Sequence, residues 1–99
     1  MSERMVLTYN EMAAMSTIFA LCCAEERKAF MDARKKAQSS EEVRDQFFAC
    51  LAQCKQETKE KCGDVYDKHL ACSVKNNKSL VKCRPTLVAL EECAAKNIL

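Results

Sequence analysis

Ninety-nine residues with eight cysteines, one glycine, one proline and no tryptophan make one domain or two very small ones. A core of that size usually needs covalent or partner support, and the abundance of Ala, Glu, Lys, Leu and Met favours helices over strands, so the expected fold class is all-α. Sixteen basic and fourteen acidic side chains, mixed along the chain to a net charge of +2, leave no basic face for nucleic acid or anionic lipid.

In chain order, an N-terminal extension (1–9) precedes a helix expected over 10–36. Its apolar positions Met12, Met15, Phe19, Cys22, Cys23 and Phe30 fall near helical spacing. The stretch "MAAMSTIFALCCA" (12–24) imitates the apolar part of a secretory leader. In a chain that starts at Met1 it is expected to be a core helix face, and it is too short and too interrupted to cross a bilayer. "AQSSEEV" (37–43) then ends one helix and starts another, with Ser39 and Glu42 at capping-box spacing. The second helix carries Val43, Phe47, Cys50, Leu51 and Cys54 on one stripe and is expected to close at Cys62-Gly63, where glycine can take the left-handed backbone. Asp64 is placed to cap a third helix running to Cys72. "KNNKS" (75–79) is the following turn, and Pro85 fits the first turn of a fourth helix that starts near Lys82. These elements divide the chain into a helical hairpin over 10–62 and a second over 63–99.

Nine residues separate Cys62 from Cys72, and nine again separate Cys83 from Cys93. Ten residues of helix advance about 15 Å and amount to one heptad plus three, which keeps both cysteines close to one seam. Two antiparallel helices with such seams bring outer cysteines together and inner cysteines together, predicting Cys62–Cys93 and Cys72–Cys83. Tyr66, His69, Leu87 and Leu90 then form the core between two staples, each worth about 2–4 kcal/mol. The upstream half reads as the same unit with its inner pair replaced: ten residues after Cys23 stands Ala33, and ten before Cys50 stands Ser40. The outer bridge Cys23–Cys50 is expected to persist alone. For Cys22 and Cys54, on the same two helices, three outcomes stay open: a bridge to each other, competition for the same partners, or buried free thiols.

Cysteines stay paired only where the redox poise allows it, and the cytosol keeps them reduced. Lacking an Arg-rich, acid-poor presequence, since Glu3 and Glu11 flank only Arg4, the chain is expected in the mitochondrial intermembrane space.

The twin nine-residue cysteine spacing resembles that of the coiled-coil-helix-coiled-coil-helix (CHCH, twin CX9C) proteins of that compartment. Two units in tandem, with "CCAEERKAFMDARKK" (22–36), "FFAC" (47–50), the eleven residues between Cys50 and Cys62 and "KCRPTLVALEEC" (82–93), resemble more narrowly the 19-kDa (PGIV) accessory subunits of respiratory complex I. The resemblance covers residues 12–99. The chain departs from it at Ala33 and Ser40, at the extra Cys22 and Cys54, and in ending six residues after Cys93. It implies a non-catalytic, supernumerary subunit without cofactor, peripheral on the inner membrane and lacking a transmembrane helix. Its partners would be other subunits of the complex I membrane arm, whose assembly and stability it would support. It also implies oxidation by the Mia40 relay during import, docking at Cys50 beside Phe47 or at Cys62 beside Tyr66; seam packing is the plainer reading of each.

Other signals point to other classes. The adjacent pair Cys22-Cys23 suits the soft dithiolate site of a CHCH-type copper chaperone or cytochrome oxidase assembly factor, although it falls mid-helix and far upstream of the twin motif. Cys50, Cys54 and the lone His69 make a poor zinc set, and His69 reads as a seam residue with its ring partly wet. A CHCH protein of the mitochondrial ribosome would need a basic surface for RNA. One histidine and no glycine-rich loop make an enzyme a poor fit. "KQETKEK" (55–61) reads as a solvated helix face, and Met5, Met12 and Met15 as core or a partner contact.

Overall fold

The computed structural model describes residues 8–99, and among them there are helices and turns but no strand. In chain order the helices are α1 (Tyr9–Ala14), α2 (Ser16–Cys22), α3 (Ala24–Lys35), α4 (Glu41–Lys61), α5 (Gly63–Lys75) and α6 (Arg84–Asn97). α3 lies against α4 and α5 against α6, giving two hairpins; α1 packs on α5, and α2 reaches both α4 and α6. The fold is all-α and disulfide-stapled, and its general form fits the CHCH type.

The helix expected over 10–36 is helical almost throughout but bends at Met15 and Cys23, where ψ is 9° and 29°. Hydrogen bonds carry through both bends: Phe19 N–H donates to the Met15 carbonyl at 2.8 Å and Arg27 N–H to that of Cys23 at 3.0 Å. Each bend falls on a fully buried side chain and turns the next segment toward a different partner. Tertiary packing therefore overrides local helix geometry at these two residues.

Helix ends differ from the sequence expectation for local reasons. The capping box forms at Thr8 and Glu11, not at Ser39 and Glu42. The Glu11 N–H donates to Thr8 Oγ1 and the Thr8 N–H to Glu11 Oε1, both at 3.1 Å. Ser40 stands at the start of α4 with no side-chain capping bond, leaving Glu41 and Glu42 in the first turn to meet the positive end of the helix dipole. Gly63 does not close α4 in a left-handed turn. It is the first residue of α5, its φ is negative, and Asp64 sits inside that first turn instead of capping it. The left-handed positions are Ala37 (φ 53°), Asn77 (φ 54°) and Lys78 (φ 62°), in the turns that join the two arms of each hairpin. There Gln38 N–H reaches back to the Ala33 carbonyl and Lys78 N–H to that of Ser73, the pattern that closes a helix. α6 starts at Arg84, two residues later than expected, with Pro85 in its first turn.

One apolar core serves both hairpins. Met15, Ile18 and Phe19 from α2 and its entry, Leu51 and Cys54 from α4, Tyr66 from α5, and Leu90 and Ala94 from α6 pack together, so neither hairpin buries its seam alone. Of the expected seam residues Tyr66, His69 and Leu90 are buried and Leu87 half-buried. Met15 is buried, Met12 is exposed, and Met5 lies outside the described residues.

Two exchanges test this backbone description. A Cβ built on Gly63 meets nothing within 4 Å, so Gly63→Ala is expected to stabilise by about 0.5–1 kcal/mol. Ala37→Gly removes the strain of a left-handed L-residue and is expected to stabilise by about 1 kcal/mol. Urea midpoints at constant slope measure both, and a destabilised Gly63→Ala would contradict the right-handed start of α5.

Candidate functional site

The cysteines form three bridges, each tying a helix junction to the flank of another helix. Cys23, between α2 and α3, joins Cys50 in α4; Cys62, between α4 and α5, joins Cys93 in α6; Cys83, just before α6, joins Cys72 in α5. Their Cα–Cα separations are 5.9, 6.1 and 5.9 Å, the usual span of a disulfide. Cys22 and Cys54 are free, the first half-buried and the second buried. With Cys23 oxidised and fully buried, Cys22-Cys23 is not a dithiol in this state of the protein. Ala33 is buried on α3 and Ser40 stands at the start of α4, so the first hairpin is held by packing where the second has its inner bridge. That packing is aromatic: the rings of Phe30 and Phe47 lie 5.9 Å apart and the Arg34 guanidinium sits 5.7 Å over Phe30.

A polar cluster absent from the sequence expectation ties α1 to α4 and α5. The Glu11 carboxylate pairs with the Lys55 ammonium and accepts a hydrogen bond from Tyr66 Oη at 3.0 Å. Lys55 and Glu11 side chains each keep only 12% of their exposure. The charged run over 55–61 is thus not wholly a solvated face: Lys55 turns inward, and Thr58 is completely buried, its hydroxyl donating to the Cys54 carbonyl at 2.7 Å. Burial alone would raise the Glu11 carboxyl. Hydrogen bonds from Lys55, Thr8 and Tyr66 outweigh it and bring the group down to about 2. Burial, and then the neighbouring Glu11 carboxylate, push the Tyr66 phenol up.

His69 is fully buried, not partly wet. Its Nδ1 lies 2.9 Å from Thr86 Oγ1 across the second hairpin, and that hydroxyl also donates to the Cys83 carbonyl at 2.8 Å, which leaves its oxygen free to accept from the ring. Nε2 meets no partner of good hydrogen-bonding geometry, although the Ala14 carbonyl and Glu91 favour the protonated ring from nearby. Desolvation prevails and lowers the histidine pKa.

Among the described residues no three Cys, His, Asp or Glu side chains gather into a metal-binding group, and no helix is long and apolar enough to cross a membrane. An open groove of about 910 Å³ lies beside α2 and α4, and Cys22, Cys50 and Cys54 line it. Of the residues singled out from sequence, the structure brings together Cys23 with Cys50, Cys62 with Cys93 and Cys72 with Cys83, and places Cys22 and Cys54 in the wall of one groove. No protein-family model, curated protein or solved structure matches the chain.

The two buried titrating groups give separate acid limbs. Glu11 has a folded pKa below its unfolded one, so its contribution is complete above about 4.5 and is lost as pH falls toward about 2. Glu11→Gln is expected to cost about 1–3 kcal/mol at neutral pH, and the gap to the parent protein should close over that window. His69 is also depressed, so its neutral, buried form contributes fully above about 6.5 and stability declines as pH falls below that value. Denaturant titrations from pH 8 to 2 separate the limbs; a constant Glu11→Gln deficit down to pH 2 would argue against the inward-facing carboxylate.

Proposed function

We propose that this chain is a non-catalytic accessory subunit of respiratory complex I on the intermembrane-space side, supporting assembly and stability of the membrane arm. The observation that carries the reading is the pair of tandem helical hairpins braced by helix-to-helix bridges, with the twin nine-residue cysteine spacing in the second. That architecture resembles the small CHCH proteins of this compartment, and the sequence stretches quoted above resemble those of the 19-kDa (PGIV) accessory subunits. Its chemistry suits a rigid part that is held by neighbours. The chain exposes Leu21, Phe48, Val74, Leu80 and Val81, apolar area that a partner subunit could cover. Import in the reduced state followed by oxidation through the Mia40 relay is part of the same reading. A chaperone carrying Cu(I) on Cys22-Cys23 is less well supported, because Cys23 is committed to Cys50.

Gentle solubilisation of inner mitochondrial membranes and native separation test the assignment. Co-migration with NADH-oxidising activity is expected; migration with cytochrome oxidase, with the ribosome, or as a free small protein would overturn it. Cys72→Ser opens the inner bridge of the second hairpin and is expected to cost about 3 kcal/mol. Steady-state abundance of the chain and of assembled complex should fall with it, while unchanged levels of both would deny the staple a role in assembly.

A further inference from the structure

Cys22 and Cys54 belong to no bridge, yet they occupy one place. Both line the groove of about 910 Å³; Cys22 adjoins Cys23 and Cys54 stands one helical turn beyond Cys50, so the Cys23–Cys50 bridge brings their positions together. They are not equivalent. Cys22 is half-buried at the end of α2, whereas Cys54 keeps 4% of its exposure within the shared core. A reagent in the groove therefore reaches Cys22 first, with Cys54 deeper in the same wall. We propose that Cys22 and Cys54 form a redox-modifiable dithiol site, oxidised to a fourth disulfide by a small disulfide compound that enters this groove.

The exchange balances in two displacements. The Cys22 thiolate attacks one sulfur of the reagent, forming a mixed disulfide and releasing the first reagent thiolate. The Cys54 thiolate then attacks the Cys22 sulfur, forming the Cys22–Cys54 bond and releasing the second. Two electrons pass from the cysteine pair to the reagent, and the two thiol protons go to water or to the departing thiolates. Burial pushes the Cys54 thiol up, so the second displacement quickens with rising pH.

Two features narrow the chemistry. Glu26 and Glu57 stand on the groove wall among neutral glutamines, so a cationic disulfide should approach faster than an anionic one. In the existing bridge Cys50 also lines the groove, with its Sγ 3.7 Å from the Cys22 carbonyl oxygen, but its partner Cys23 is completely buried.

The folded protein, its three bridges intact, is treated with cystamine or with glutathione disulfide at equal concentration and low ionic strength. Intact mass is expected to fall by the two thiol hydrogens, and peptide mapping should join the Cys22 and Cys54 segments, faster with cystamine. Cys54→Ser should stop at one reagent adduct on Cys22, and Cys22→Ser should leave Cys54 unmodified until the chain is unfolded. Two thiols that still alkylate after unfolding, stable adducts on both residues, or a new bridge to Cys23 or Cys50 would overturn the site. Equal rates with the two reagents would overturn the groove as its entrance.

Discussion

Each disulfide pins a point where one helix gives way to the next onto the side of a helix that continues straight. Cys23, Cys62 and Cys83 are the junction ends; Cys50, Cys93 and Cys72 are the flanking ends. A junction is where a short helical protein has least intrinsic order, because the flanking helices can swivel about it. A covalent tie there fixes the angle between successive helices as well as the distance between partners. The bend at Cys23 sends α2 and α3 along different stretches of α4, and the bend at Cys62 carries the chain from one hairpin into the other. With those angles set, side chains from both hairpins converge on a single core that neither could assemble alone.

The polar interior follows the same logic at lower cost in sequence. Glu11 lies far from Lys55 and Tyr66 along the chain, and the three meet because α1 packs on α5 with Glu11 within reach of Lys55 on α4. Each group satisfies another, so a carboxylate and an ammonium can be drawn from water without stranding either. His69 is the counterexample: one ring nitrogen is bonded and the other meets no partner of good geometry. Its neutral form is the one the interior accommodates.

How far the sequence revealed this depended on whether a feature was local. Composition points to the all-α class, and cysteine spacing on a hairpin is a one-dimensional record of helix pitch, so the pairing register of the second hairpin could be read from four positions. The bends at Met15 and Cys23 could not, since both segments carry ordinary helical periodicity and the deviation is imposed by packing. Two Ser/Thr-x-x-Glu patterns are present, at Thr8 and at Ser39, and nothing within either says which hydroxyl will stand at the helix boundary. The single glycine was a misleading marker. Left-handed turns fell instead to Ala37, Asn77 and Lys78, where hairpin closure outweighs intrinsic preference. Lys55 looked solvated because its partner is remote in the chain; inward charges of this kind are visible only once helices have been placed.

The bridges are nested or sequential and never interleaved. Residues 23–50 form one closed covalent ring, and 62–93 form another with a smaller ring inside it. A nick in either hairpin turn leaves the molecule in one covalent piece, because the cut lies within a ring. The segment between Cys50 and Cys62 belongs to no ring. Cleavage there divides the protein into two separately cross-linked fragments held together only by non-covalent contacts, the shared apolar core and the Glu11–Tyr66 hydrogen bond among them.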